Sequence, residues 1–146
     1  MGTEIRIAVE ADYEAIARIS RDDLGYDCAP ALVREKLRRA LQSERERVFV
    51  AVCDVEVAGY IHAEDYDVLY FETMKNILGL AVAANHRRKG IGTKLLGAVE
   101  DWARETGVRQ IRLNSGITRR GAHAFYRANG YTDEKEQKRF IKTLEA

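Results

Sequence analysis

The chain has little of what staples, breaks or anchors a fold. Of 146 residues, two are cysteine and one is proline. Cys28 and Cys53 fit no metal-binding or redox spacing, so free thiols in a reducing compartment are expected rather than a disulfide. No apolar run approaches the ~20 residues of a membrane helix. Charge of one sign is missing too: 24 Lys and Arg face 23 Asp and Glu, for a formal net charge of +1. Bulk charge therefore gives nucleic-acid binding no support. The opening residues MGTEIRIAVE carry no signal-peptide pattern, and Arg6 stands where a myristoylation motif needs Ser or Thr. The expectation is a cytoplasmic protein with no membrane, nucleic-acid or metal partner.

What is present suits one domain over residues 1–146, a length that buries roughly 70% of the surface its unfolded chain exposes. EIRIAV alternates and reads as a strand. DYEAIARISRDDL places Ala15, Ile16 and Ile19 on one helical face, with Asp12 as N-cap and a loop from Asp22 onward. Pro30 opens a second helix that presents Val33, Leu37, Ala40 and Leu41. RVFVAVC and VEVAGYIHAE read as a hairpin turning near Asp54. DYDVLYFE reads as strand end or loop. KNILGLAVA is almost continuously apolar, the mark of a central strand covered on both faces. Ile91, Leu95, Val99 and Trp102 define a helix, VRQIRLNS a strand, RRGAHAFYRAN a helix, and KEQKRFIKTL a last strand. The order is β-α-α-β-β-β-α-β-α-β, a mixed α/β domain. Its βαβ unit, from the strand at 76–83 to the strand at 109–114, predicts one parallel pair.

The stretch NHRRKGIGTKLL, Asn85 to Leu96, joins that central strand to its helix. Unpaired N–H groups and the positive dipole end make a helix start an anion site. Gly90 and Gly92 let a phosphate approach the backbone, and Arg87, Arg88 and Lys89 add charge. Plain turn chemistry is the competing reading. The Walker A pattern is absent, and Leu95 stands where a dinucleotide fingerprint needs its third glycine.

LGLAVAANHRRKGIGTKLLGAVEDWARETG resembles the acetyl-CoA-binding segment of the GCN5-related N-acetyltransferases (GNAT), with Arg87-x-x-Gly90-x-Gly92 in their strand–turn–helix setting. AHAFYRANGY is similar to that family's second motif, a helix with Tyr126 followed by Gly130-Tyr131. The resemblance implies a mostly antiparallel mixed sheet, flanked by helices, with a splayed parallel pair at its centre. It implies acetyl-CoA as co-substrate and direct attack by an amine, without an acyl-enzyme. Leu80, Ala81 and Val82 would pair with the pantetheine arm, and an N–H near Leu80 or Ala81 would polarise the thioester carbonyl. Arg87 to Lys89, Gly90, and the first helical residues Ile91, Gly92 and Thr93 would hold the pyrophosphate. Asn114 would also touch CoA. Family members often dimerise, so a homodimer is a further expectation.

Two protons must be handled. Tyr126 matches the family's general-acid position and would protonate the departing thiolate. The family's base position falls on Asn76, which cannot take a proton at neutral pH. Glu72 is the expected base, with Glu64 as another candidate through water; a solvated loop carboxylate is the ordinary reading of Glu72. The acceptor segments implied by the resemblance, RDDLGYDCA and AEDYDVLYFET, are acidic and aromatic. Asp22, Asp23, Tyr26, Glu64 and Glu72 would favour a cationic amine, on a small molecule or peptide. A catalytically silent acyl-CoA-binding domain on the same fold is the alternative that Asn76 keeps open.

Overall fold

The computed structural model describes residues 2–145. The chain falls into two compact units, Met1–Asn114 and Ser115–Ala146. The first contains a five-stranded sheet in sequential order: β1 (Thr3–Ile7), β2 (Glu46–Cys53), β3 (Glu56–Tyr66), β4 (Met74–Val82) and β5 (Ile111–Leu113). Every pairing is antiparallel except β4 with β5, which is parallel. The helices α1 (Tyr13–Leu24), α2 (Pro30–Gln42) and α3 (Ile91–Glu105) complete this unit. The mixed sheet with one parallel pair is the architecture expected from the element order.

Alternation divides the core. Val48 and Val50 of β2, Tyr60 of β3 and Ala81 of β4 pack with Ile16, Ile19, Leu37 and Ala40 of α1 and α2. The Tyr60 hydroxyl shares a hydrogen bond of 2.7 Å with Ser20. On the other sheet face, α3 buries Ile91, Leu95, Leu96, Val99 and Trp102. Full burial of such side chains contributes roughly 1.5–3 kcal/mol each. That face also holds a buried cation: Lys75 is 1% exposed, with its Nζ 3.5 Å from the Trp102 ring centroid. The same Nζ donates to Asp65 Oδ1 at 2.5 Å. Gly59 permits close strand approach, since a Cβ there would sit 2.8 Å from the Ala81 carbonyl oxygen.

Two boundaries differ from the sequence reading, and the hairpin turn falls where it was expected. Asp12 stands at the N-cap position of α1, yet its side chain does not cap that helix. A 3-10 turn at Glu10–Asp12 precedes α1 and turns the carboxylate back, where it accepts from the Val9 amide at 2.8 Å and pairs with Arg6. The first helix also runs on through Asp22 and Asp23 to Leu24, ending at Gly25 rather than at the expected loop. The hairpin turns at Asp54 and Val55, both left-handed, at φ 49° and 64°. A β-branched residue is disfavoured there, and Val55 stays fully exposed.

The second unit contains α4 (Arg120–Ala128). The expected last strand over KEQKRFIKTL does not form, and residues 131–145 carry no regular element. A strand exists through its ladder, and this segment pairs with none. Phe140 and Ile141 are also adjacent rather than alternate, so no single strand face collects them; both are exposed.

The Arg6–Asp12 pair predicts an acid-sensitive contribution to stability. Burial of Asp12 opposes its charge, but hydrogen bonds from Arg6 and the Val9 amide, with the Arg6 charge, hold its carboxyl below the usual range. A lowered folded value stabilises fully above the ordinary carboxylate pKa of ~3.9 and is lost as pH falls through the folded value. Asp12→Asn should cost about 1 kcal/mol at pH 7. In urea titrations at several pH values, that difference should vanish in acid.

Candidate active site

The site is built around one unpaired residue. Ile77 pairs with Ala63 and Gly79 with His62, so Leu78 has no partner on β3 and forms a β-bulge. The parallel ladder with β5 ends at the same place, its last pair being Ile77 with Leu113. Beyond Leu78, β4 keeps β3 on one side and, among the described residues, has no strand on the other.

The bulge also changes which backbone groups point each way. Before it, the Lys75 amide donates across to the Gln110 carbonyl, on the β5 side. After it, the Ala83 amide donates to the Ala58 carbonyl of β3 at 2.8 Å. Alternation then directs the Ala81 backbone toward β3 and those of Leu80 and Val82 to the open side. A strand with free N–H and C=O groups can pair with an extended amide-bearing ligand. A free N–H can also polarise a carbonyl.

At the C-terminal end of β4 the turn reaches α3. Gly90 is its N-cap, at φ 75°, and Arg88 is left-handed as well, at 65°. No side chain caps α3, and its first turn has no acidic residue. Lys94 donates to the Gly90 carbonyl, which begins the helix ladder. The amides of Ile91, Gly92 and Thr93 precede that ladder and are available to an anion.

The turn's side chains are engaged more than its sequence suggests. Arg87 Nη2 donates to Asp23 Oδ1 at 3.0 Å, and the Asp23 side chain is only 8% exposed. Lys89 Nζ lies 3.1 Å from His86 Nδ1. An ammonium only donates, so Nδ1 accepts and the Nε2–H donates to Glu56 Oε2 at 2.9 Å. Two of the three cations thus have protein partners.

The expected acceptor residues are divided in the same way. Asp23 is bound to Arg87, while Asp22 accepts from Arg21 at 3.3 Å on the exposed end of α1. Asp65 holds Lys75, and Asp67 accepts from Arg45 and Thr73. Tyr26 and Glu72 are exposed, Glu72 on the loop between β3 and β4. Tyr70 and Phe71 of that loop meet edge to face. Glu64 and Asn76 do come together: Asn76 Nδ2 donates to Glu64 Oε2 at 2.9 Å. Arg112 Nη1 donates to Asn76 Oδ1 at 2.7 Å, and its other nitrogen to Asn114. Sequence reasoning did not single out Arg112, Lys75 or His86. No motif marks them, and for Arg112 the available signal was the parallel pairing that sets it opposite Asn76.

Tyr126 lies in the second unit, on α4, and is half-buried. Its ring meets Phe125 and Tyr131 edge to face. The Tyr131 amide donates to the Tyr126 carbonyl at 3.0 Å, closing the turn through Gly130. Burial pushes the phenol above the ordinary tyrosine range, against the opposing charge of Arg119. The hydroxyl is therefore a proton donor at neutral pH. Among the described residues, no group of three His, Cys, Asp or Glu is placed to hold a metal ion, and no helix is long and apolar enough to cross a membrane.

Residues 13–131 match the model of the acetyltransferase (GNAT) family. The aminoglycoside N(6')-acetyltransferase type 1 of Stenotrophomonas maltophilia is 30% identical, over 97% of this chain and 94% of its own. The aminoalkylphosphonate N-acetyltransferase of Salmonella typhimurium is 28% identical, over 97% and 91%. The uncharacterized N-acetyltransferase YhdJ of Bacillus subtilis is 44% identical over 50 residues, which are 34% of this chain and 35% of its own. Among solved structures, AAC(6')-Iy with the bisubstrate analogue CoA-S-monomethyl-acetylneamine superposes with a TM-score of 0.88. Its identity is 17%, over 99% of this chain and all of that one. With its family model matched across most of its length, the chain belongs to the GNAT acetyltransferases. Its reaction is acetyl-CoA-dependent N-acetyl transfer.

The left-handed Gly90 yields a stability test. Its surroundings leave room for a side chain, but its φ does not suit one. Gly90→Ala should destabilise by about 1–2 kcal/mol, and Gly90→Asn by less, because Asn tolerates this region. Thermal unfolding of the two variants beside the parent checks the order.

Proposed function

We propose that residues 1–146 act as one domain that acetylates a primary amine on a cationic small molecule or peptide. The amine attacks acetyl-CoA directly, with no acyl-enzyme. The observation that carries this reading is the strand–turn–helix unit itself. Beyond Leu78, β4 offers open backbone groups, and the same segment leads to an uncapped, glycine-initiated helix. One end suits the amides of a pantetheine arm, the other a pyrophosphate.

In this reading Leu80 and Val82 pair with the arm, and the Leu80 amide stabilises the charge that develops on the thioester oxygen. Ala81 contributes from the β3 side of the same strand. Arg88, Gly90, Ile91, Gly92 and Thr93 hold the phosphates, with Arg87 and Lys89 as flanking charge and Asn114 as a further contact. Tyr126 is the general acid for the thiolate, supported by its motif position and its raised phenol pKa.

The acceptor reading rests on the exposed acidic and aromatic side chains of Asp22, Tyr26 and Glu72 and on relatives whose names specify amines. Asp22, Tyr26 and Glu72 form the exposed acceptor surface, and Asp23 orders it through Arg87. The sequence offered Glu72 as base; its exposure on the loop suits contact with a cationic substrate equally well.

The test is steady-state release of CoA thiol from acetyl-CoA against polyamines, aminoglycosides, aminoalkylphosphonates and amine-bearing peptides. Turnover is expected with one polycationic class. Tyr126→Phe should lower kcat by about 10²-fold with acetyl-CoA affinity retained. Turnover confined to acceptors without a second cationic group would refute the acceptor class. Full activity in Tyr126→Phe would remove the acid role.

A further inference from the structure

Glu46 of β2, Glu64 of β3, Asn76 of β4 and Arg112 of β5 are direct cross-strand partners in turn. They form one polar row across four strands. It lies on the sheet face of Tyr60, because Tyr60, His62, Glu64 and Tyr66 alternate along β3. The row has a direction. An arginine only donates, so the 2.7 Å bond from Arg112 Nη1 fixes Asn76 Oδ1 toward β5. The amide nitrogen must then face β3, where it donates to Glu64 Oε2 at 2.9 Å. Arg112 is itself fixed by Asn114 Oδ1 at 3.2 Å and by the Tyr66 ring, 4.3 Å from its Cζ. At the far end, His62 Nε2 lies 2.8 Å from Glu46 Oε1, which keeps that carboxylate occupied beside Glu64. No side chain among the described residues bonds Glu64 Oε1.

We propose that Glu64 accepts the proton of the acceptor amine, and that Arg112, acting through Asn76, is the residue that positions it. The inference deepens the acetyl-transfer reading and rests on it. This chain has an amide where a carboxylate on β4 would serve, and the carboxylate stands one strand away, in register with that amide and bonded to it. Asn76 lies two residues before the bulge at Leu78 and four before Leu80. At about 3.3 Å per residue that is at most about 13 Å, so the proton crosses bound water.

The proton count closes. A substrate ammonium gives one proton through water to Glu64, and the free amine attacks the thioester carbon. The carbon–nitrogen bond forms and the carbon–sulfur bond breaks. The nitrogen loses a second proton as the amide forms, and Tyr126 donates one to the departing sulfur. Of the two protons lost from nitrogen, one is balanced on the thiol and one reaches solvent. The titratable and charged groups around Glu64 on this sheet face are Glu46, His62, Tyr66 and Arg112.

The experiment measures kcat/KM against pH, with the amine that the wild-type enzyme turns over, together with the acetyl-CoA dissociation constant and the melting temperature. Glu64→Gln should lower kcat/KM about 10²-fold at pH 7 and leave acetyl-CoA affinity unchanged. Arg112→Gln removes the donor that holds Asn76 Oδ1 and should lower kcat about tenfold at pH 7 with acetyl-CoA affinity unchanged. Arg112→Lys keeps a donor but not the fork, and gives the same readout if the glutamine variant does not fold; its loss should be smaller. Wild-type rate and profile in Glu64→Gln would overturn the proposal. So would Arg112 variants that melt earlier with kcat unchanged. A wild-type enzyme that binds acetyl-CoA but acetylates no amine would instead defeat the underlying function, and the wild-type measurement alone reveals that outcome.

Discussion

One extra residue in one strand governs the architecture of the site. With Leu78 unpaired, β4 behaves as two strands joined end to end. Its first half, Met74 to Ile77, is an ordinary interior strand with neighbours on both sides. Its second half has lost one neighbour and reversed the parity of its backbone groups. A bulge bends a strand and tightens its local twist. Here it coincides with the end of the parallel ladder and so with the opening of a gap inside a sheet. Unpaired backbone at such a gap is costly unless solvent or a ligand meets it.

The two ends of β4 divide the chemistry. At the lower end, side chains matter: Asn76 is locked between a carboxylate and a guanidinium. At the upper end, Leu80, Val82 and the first amides of α3 present backbone groups without a strand or helix partner. Asp23 and His86 engage basic side chains of the turn and leave its first helical amides without an intrahelical partner. The first pairing also makes the turn depend on the end of α1, because Arg87 reaches Asp23 across 64 residues of sequence.

Much of this was legible in the sequence, and the rest was hidden for definite reasons. The apolar run of β4, the heptad-like spacing of Ile91, Leu95, Val99 and Trp102, and the glycines beyond His86 are local signals, and each yielded its element. The bulge at Leu78 left no mark, because a bulge is a relation between two strands and Leu suits either side of it. Composition counts Asp23, Asp65 and Asp67 as available charge, whereas the fold pairs them with Arg87, Lys75 and Arg45, partners that no local pattern marks. The last strand failed because β propensity is mostly a statement about neighbours, and KEQKRFIKTL has no ladder.

Lys75 precedes Asn76 and faces the other way. A primary amine on β4 is close kin to the substrates such an enzyme modifies, and any thioester lying along that strand would find it within a few residues. Strand alternation places its ammonium on the α3 side, against the Trp102 ring and bonded to Asp65, with 1% of its surface exposed. A nucleophile needs a clear path, and here it has none. The same alternation that brings Asn76 to the open face keeps the enzyme's own lysine from becoming a target of its own acetyl donor.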